Sequence, residues 1–104
     1  MLVHQVFFQF SPELKSEYIE GKVLHNLLAM KKLIPQIVSA RWYKNISTED
    51  RDHDFKYVAI FEFEDENKLS EYLLHQAHVD FCNDWLFPNL RDHLNSLLVF
   101  DFYK

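Results

Sequence analysis

The sequence predicts an α+β domain of the ferredoxin-like type, ordered β-α-β-β-α-α-β around an antiparallel sheet, that associates with a second copy of itself. Three observations lead there. Short β-branched and aromatic runs bounded by turn residues read as strands. Longer segments between them carry apolar residues at three- and four-residue steps, the period of an amphipathic helix. The strands are apolar on both faces, which an antiparallel sheet with one wet face avoids. A chain of 104 residues suits one domain spanning 1–104.

Leu2 to Phe10 reads as the first strand and stops at Ser11-Pro12. Ser11 is placed to cap the next helix, with Pro12 at its first position and Glu13 near its positive end. That helix is expected to run to about Leu33, burying Ile19, Val23, Leu27, Met30 and Ile34, until Pro35 ends it. A second strand is expected from Ile37 to Ile46, then a polar loop over Ser47 to Asp52. Phe55 to Phe63 alternates most clearly, with Tyr57, Ala59, Phe61 and Phe63 opposite Val58, Ile60 and Glu62. Asp65 is placed to cap a short helix through Leu74. A further helix is expected from His78 to Leu94, with Cys82, Trp85, Leu86 and Leu90 as its stripe, and a last strand from Leu97 to Tyr103.

The helices can cover one sheet face, and no long loop exists to cover the other. A partner removing ~800 Å² of apolar surface per subunit would gain a gross ~40 kcal/mol at ~25 cal/mol/Å². The cost of association is ~4–15 kcal/mol. A homodimer through the sheet is therefore expected, with either face a candidate.

The formal charge of −5 and scattered Lys and Arg argue against nucleic-acid and anionic-membrane partners. No stretch approaches the ~20 apolar residues of a membrane-spanning helix. Cys82 is the lone cysteine, which suits a reducing compartment, and the start Met1-Leu2-Val3-His4 lacks the pattern of a secretory leader. A cytoplasmic address is expected. Glycine-rich phosphate loops and dinucleotide fingerprints are absent, so no cofactor is expected.

Reactive side chains concentrate between Tyr72 and Phe81. On one unbroken helix Tyr72 and His78 would stand ~120° apart, because six residues turn ~600°. They converge only if the helix breaks near His75-Gln76. A neutral imidazole is a natural general base, and a nearby phenol can donate to a developing enolate. The alternative is a junction plug, both side chains merely satisfying backbone groups at the break. His75, His78 and Cys82 fall at i, i+3 and i+7, but a structural zinc wants four ligands, so no metal is expected. His4, inside an apolar strand, must either find a hydrogen-bond partner or face a cavity. His25, His53 and His93 read as surface fillers.

In order along the chain, His4-x-Val6-x-Phe8, Ile34-Pro35, Asn45-Ile46-Ser47, Phe61-x-Phe63-Glu64-Asp65, Tyr72-x-x-His75-x-x-His78-x-x-Phe81 and Phe100-Asp101-Phe102 resemble the stress-responsive A/B barrel family. The resemblance covers essentially the whole chain and implies a dimeric α+β barrel, two sheets packed face to face. One similar plant branch comprises polyketide cyclases of the olivetolic acid type, which work by intramolecular aldol condensation without a cofactor. Their catalytic tyrosine and histidine correspond to Tyr72 and His78, and their first-strand histidine to His4. Tyr57 stands where they carry a second active-site histidine, Gln76 replaces a common proline, and Tyr43 replaces a glycine. The implied site has His78 and Tyr72 as catalytic residues, with His4, Tyr57, Phe81 and Val79 binding ligand. The resulting expectation is a stress-responsive barrel domain that binds a small apolar or aromatic ligand. The alternatives are a cofactor-independent cyclase-like enzyme and, more weakly supported, a monooxygenase of the same superfold.

Overall fold

Leu2–Phe8 (β1), Ser39–Lys44 (β2), Tyr57–Phe63 (β3) and Leu97–Tyr103 (β4) form one antiparallel sheet in a computed structural model that describes residues 1–104. The strand order is β2-β3-β1-β4, so the first and third strands lie at the centre and the crossovers are helical. Residues 16–33 form α1, an α-helix at Ser16–Tyr18 and Leu24–Leu33 with a π-helical stretch, Ile19–Val23, between them. Glu66–Leu74 forms α2, and residues 76–86 form α3, which is α-helical over Gln76–Phe81 and π-helical over Cys82–Leu86.

Register assigns the faces. His4 lies between Phe61 and Asp101, Val6 between Ala59 and Val99, and Phe8 between Tyr57 and Leu97. The helices pack on this face, and the α1 stripe of Ile19, Val23, Leu27, Met30 and Ile34 is buried against it. The alternate residues face outward: Phe7 beside Val58 and Leu98, Gln5 beside Ile60 and Phe100, and Val3 beside Glu62 and Phe102. No helix covers this side, and Leu98, Phe100, Phe102 and Tyr43 are exposed there.

The structure corrects several expected boundaries. Ser11 does not cap α1. Its hydroxyl donates to the Leu90 carbonyl at 3.2 Å and its N–H to the Asn89 carbonyl at 2.9 Å, while Phe10 bridges to Leu90. The chain is thus tied to a distant segment, turns over residues 11–14, and starts its helix at Ser16. The last helix ends at Leu86 rather than Leu94. Pro88 has no N–H for another helical turn, and Phe87–Asn89 tightens to a 3₁₀ turn. Leu90 then pairs with Phe10, His93 takes a left-handed φ of 45°, and His93–Ser96 leads into β4. β2 and β3 are shorter than expected. The Asn45 side chain accepts from the Ser47 N–H at 2.8 Å and donates to the Phe55 carbonyl at 3.2 Å, turning the hairpin out of the sheet. Asp65 caps α2 as expected, accepting from the Lys68 N–H at 2.9 Å.

Candidate functional site

The site is built by the break between α2 and α3. His75 has extended backbone (φ −65°, ψ 139°), closing α2 and opening α3, and its Nδ1 accepts from the Ala77 N–H at 3.0 Å. A histidine here does the work usual for serine or aspartate: it satisfies a free N–H at the start of a helix. The kink returns His78 to Tyr72, and their ring centroids lie 4.5 Å apart. Committing Nδ1 of His75 to a backbone amide removes it from any metal-binding face, and no group of three His, Cys, Asp or Glu side chains converges in the structure.

Both rings face a cavity of about 210 Å³ between the sheet and the helices. His4, Val6, Phe8 and Phe61 form its floor, Phe81 and Leu86 its inner wall, and the exposed side chains of Leu73, Phe87 and Leu94 its lip. His78 is half-buried. Its Nδ1 lies 3.0 Å from the Leu73 carbonyl, which can only accept, so Nδ1 carries the proton and Nε2 keeps its lone pair. Burial lowers the His78 pKa, the Leu73 carbonyl partly offsets this, and His4 lowers it further. The ring is neutral at neutral pH. Nε2 sits 3.5 Å from Cys82 Sγ.

Tyr72 is 3% exposed and its hydroxyl takes no part in any side-chain hydrogen bond of the chain, although the one fully buried side-chain polar atom without a partner is Gln36 Oε1. Burial drives the Tyr72 pKa far above the ordinary phenol range, so it stays a neutral phenol with a proton to donate. Its ring belongs to the cavity wall, packed against His4, Phe61, Phe63 and His78. His4, also buried, answers the question its sequence position posed in both ways: it lines the cavity, and its Nδ1 is 2.6 Å from Asp101 Oδ1.

The structure brings His4, Tyr72, His78 and Phe81 together and separates two others. Val79 is exposed and does not line the cavity, because the residue after His78 is rotated ~100° away on α3. Tyr57 faces the helices but lies at the other end of the sheet, its hydroxyl donating to Glu20 Oε2 at 2.7 Å and its ring against Phe10 and Trp42. It lines a larger open cleft of about 370 Å³ with Lys44, Lys56 and Arg91. Those cations are already paired with Glu20, Asp52 and Asp54 at 3.4, 2.6 and 2.7 Å, so none of the three charges stands without a counter-charge. Two contributors were missed in the sequence. Asp101 had a signal, a lone polar residue on the inward parity of β4, but pairing it with His4 requires the register. Cys82 had a signal too, since it stands four residues after His78 on one helix and so shares its face, but that spacing was weighed for a metal and not for a thiol–imidazole contact.

The profile of the stress responsive A/B barrel domain matches residues 2–104. The chain belongs to the stress responsive A/B barrel domain family. Among curated proteins, the Arabidopsis thaliana stress-response A/B barrel domain-containing protein HS1 is 30% identical over 92 residues, covering 88% of this chain and 75% of that protein. A dimeric ferredoxin-like protein of unknown function from Jannaschia sp. superposes with a TM-score of 0.79 at 19% identity, covering 99% of this chain and 98% of that one. A hydroxynitrile lyase from Passiflora edulis superposes with a TM-score of 0.82 at 16% identity, covering 97% of this chain and 90% of that one. At these identities the structural likenesses establish the barrel-domain fold alone. No helix of the chain is long and apolar enough to cross a membrane.

Proposed function

We propose that this barrel domain works as a homodimer that binds a small apolar or aromatic carbonyl compound between sheet and helices, and that His78 and Tyr72 move a proton on it without a cofactor. The observation that carries the reading is the pairing, in one apolar cavity, of an unpartnered buried phenol with an imidazole whose Nε2 is unprotonated. A ketone oxygen hydrogen-bonded to Tyr72 would hold its α-carbon near Nε2. His78 would take the α-proton as the enolate oxygen gains charge, and Tyr72 would stabilise that charge by donation. His4 would act as a polar neighbour with its orientation held by Asp101. The junction-plug alternative accounts for His78, whose Nδ1 meets the Leu73 carbonyl across the break, but leaves the Tyr72 hydroxyl without a purpose. The dimer is supported by the uncovered apolar face and by the dimeric Jannaschia protein of the same fold. A hydroxynitrile lyase on this fold supports an enzymatic reading over pure ligand storage. The lone half-buried Cys82 fits a cytoplasmic address.

The test is exchange of α-hydrogens of acetophenone or cyclohexanone for deuterium in D₂O, followed by NMR. His78→Ala should slow protein-promoted exchange by about 10²–10⁴-fold, the usual worth of a general base. Tyr72→Phe should slow it less and leave ketone binding largely intact. Exchange by the wild type no faster than by His78→Ala would overturn the proton-transfer reading.

A further inference from the structure

Cys82 lies in the wall of the cavity with its thiol 3.5 Å from Nε2 of His78. Because Nδ1 is committed to the Leu73 carbonyl, the hydrogen bond has one sense: S–H donates and Nε2 accepts. Tyr72 lines the same cavity, 3% exposed, with its ring centroid 4.5 Å from that of His78 and its hydroxyl in no side-chain hydrogen bond. A nucleophile, a base in contact with it and a donor for a developing oxyanion are the three parts of an addition site. The surroundings are apolar, with Phe61, Phe81 and Leu86 among the walls.

We propose that Cys82, activated by His78 and assisted by Tyr72, adds covalently and reversibly to small apolar α,β-unsaturated ketones or aldehydes that enter this cavity. The proposal rests on the ligand-binding reading above and assigns that site a second, thiol-based chemistry. The step balances without any oxidant or reductant. Nε2 takes the S–H proton as the sulfur electron pair forms a bond to the β-carbon, and the C=C pair shifts to give an enolate whose oxygen accepts from Tyr72. The imidazolium then returns the proton to the α-carbon, restoring the carbonyl. Burial raises the Cys82 pKa and lowers that of His78, so the resting pair is neutral thiol and neutral imidazole. The thiol is therefore inert to solvent-borne reagents and depends on its base at the moment of attack.

The experiment uses the full chain and cyclohexenone as probe, with intact-mass detection, peptide mapping and reduced glutathione as the reference thiol. Expected are one adduct at Cys82, saturation with probe, and a maximal rate about a hundredfold above glutathione at equal concentration, the low end of general-base assistance. The rate should be nearly flat across neutral pH, whereas an unassisted thiol gains about tenfold per pH unit below its pKa. Cys82→Ser should give no adduct. His78→Ala should fall to the glutathione rate and regain the tenfold slope, a change that unfolding would not produce and that circular dichroism can check. Absence of an adduct, or a wild-type rate that is unsaturable, glutathione-like and steep with pH, overturns the proposal. Cyclohexanone, which can bind but not alkylate, separates the two readings: if it binds and exchanges its α-hydrogens while cyclohexenone leaves Cys82 untouched, thiol addition fails and the proton-transfer reading stands.

Discussion

His78 owes its character to a single carbonyl. Leu73, five residues earlier and across the helix break, fixes which nitrogen is protonated, and burial keeps the other from gaining a proton. This has a consequence for stability. The folded pKa of His78 lies below its unfolded value of ~6.5, so the unfolded chain binds the proton first as pH falls. The contribution of neutral His78 is whole above pH ~6.5 and is lost as pH drops through that value toward the lowered one. Replacement by Gln, which can still donate to the Leu73 carbonyl, should remove this component. Melting temperatures between pH 7 and pH 5 should fall further for the wild type than for His78→Gln. Equal falls would show that His78 is not held neutral by the fold.

At the scale of elements, the segment that matters is a one-residue interruption. His75 ends one helix with an extended ψ and starts the next by accepting from Ala77, and only this places Tyr72 and His78 on a common cavity. Replacing His75 with Ala should cost about 1 kcal/mol, the usual worth of an N-cap, whereas His75→Asn should stay within a few tenths. Urea midpoints at constant m-value measure both. A loss for Asn equal to that for Ala would mean the ring packs rather than caps. The break was expected near His75-Gln76 as the condition on which Tyr72 and His78, six residues apart, could meet. The capping role of His75 was not, since histidine is an unusual cap and sequence periodicity carries no cap geometry. The same limit explains the helix starts and stops. Ser11-Pro12 has good capping chemistry, but Ser11 is claimed by Leu90 and Asn89, partners nearly eighty residues away.

At the scale of the molecule, the sheet has two faces and its own helices cover one. The order of elements along the chain and the doubly apolar pattern were readable because helix and strand differ in side-chain period; which face stays open was not, because that depends on the side to which the helices cross. The register answers it: Phe7, Val58, Ile60, Leu98 and Phe100 point away from the helices. Val58→Asp should therefore convert a dimer to monomer or aggregate without touching the cavity, measured by sedimentation equilibrium at micromolar concentration. A wild-type monomer of 12.6 kDa in that experiment would remove the dimer. Tyr57 shows how far strand parity goes. It correctly turns Tyr57 inward, but two residues per step along β3 carry it to a different cleft from Phe61.

β4 is an edge strand that serves both faces at once. Leu97 and Val99 line the cavity and Asp101 holds His4, while Leu98, Phe100 and Phe102, interleaved with them, lie on the open face. One backbone cannot shift one set without the other. With the proposed dimer and ligand, assembly and occupancy would be linked equilibria, and linkage is reciprocal: whatever factor the second subunit contributed to ligand affinity, the ligand would return to subunit affinity. Ligand affinity titrated at protein concentrations above and below the dimer dissociation constant should differ, and saturating ligand should shift the sedimentation midpoint by the same factor. Identical affinities on both sides would mean that β4 is stiff enough to insulate the two faces.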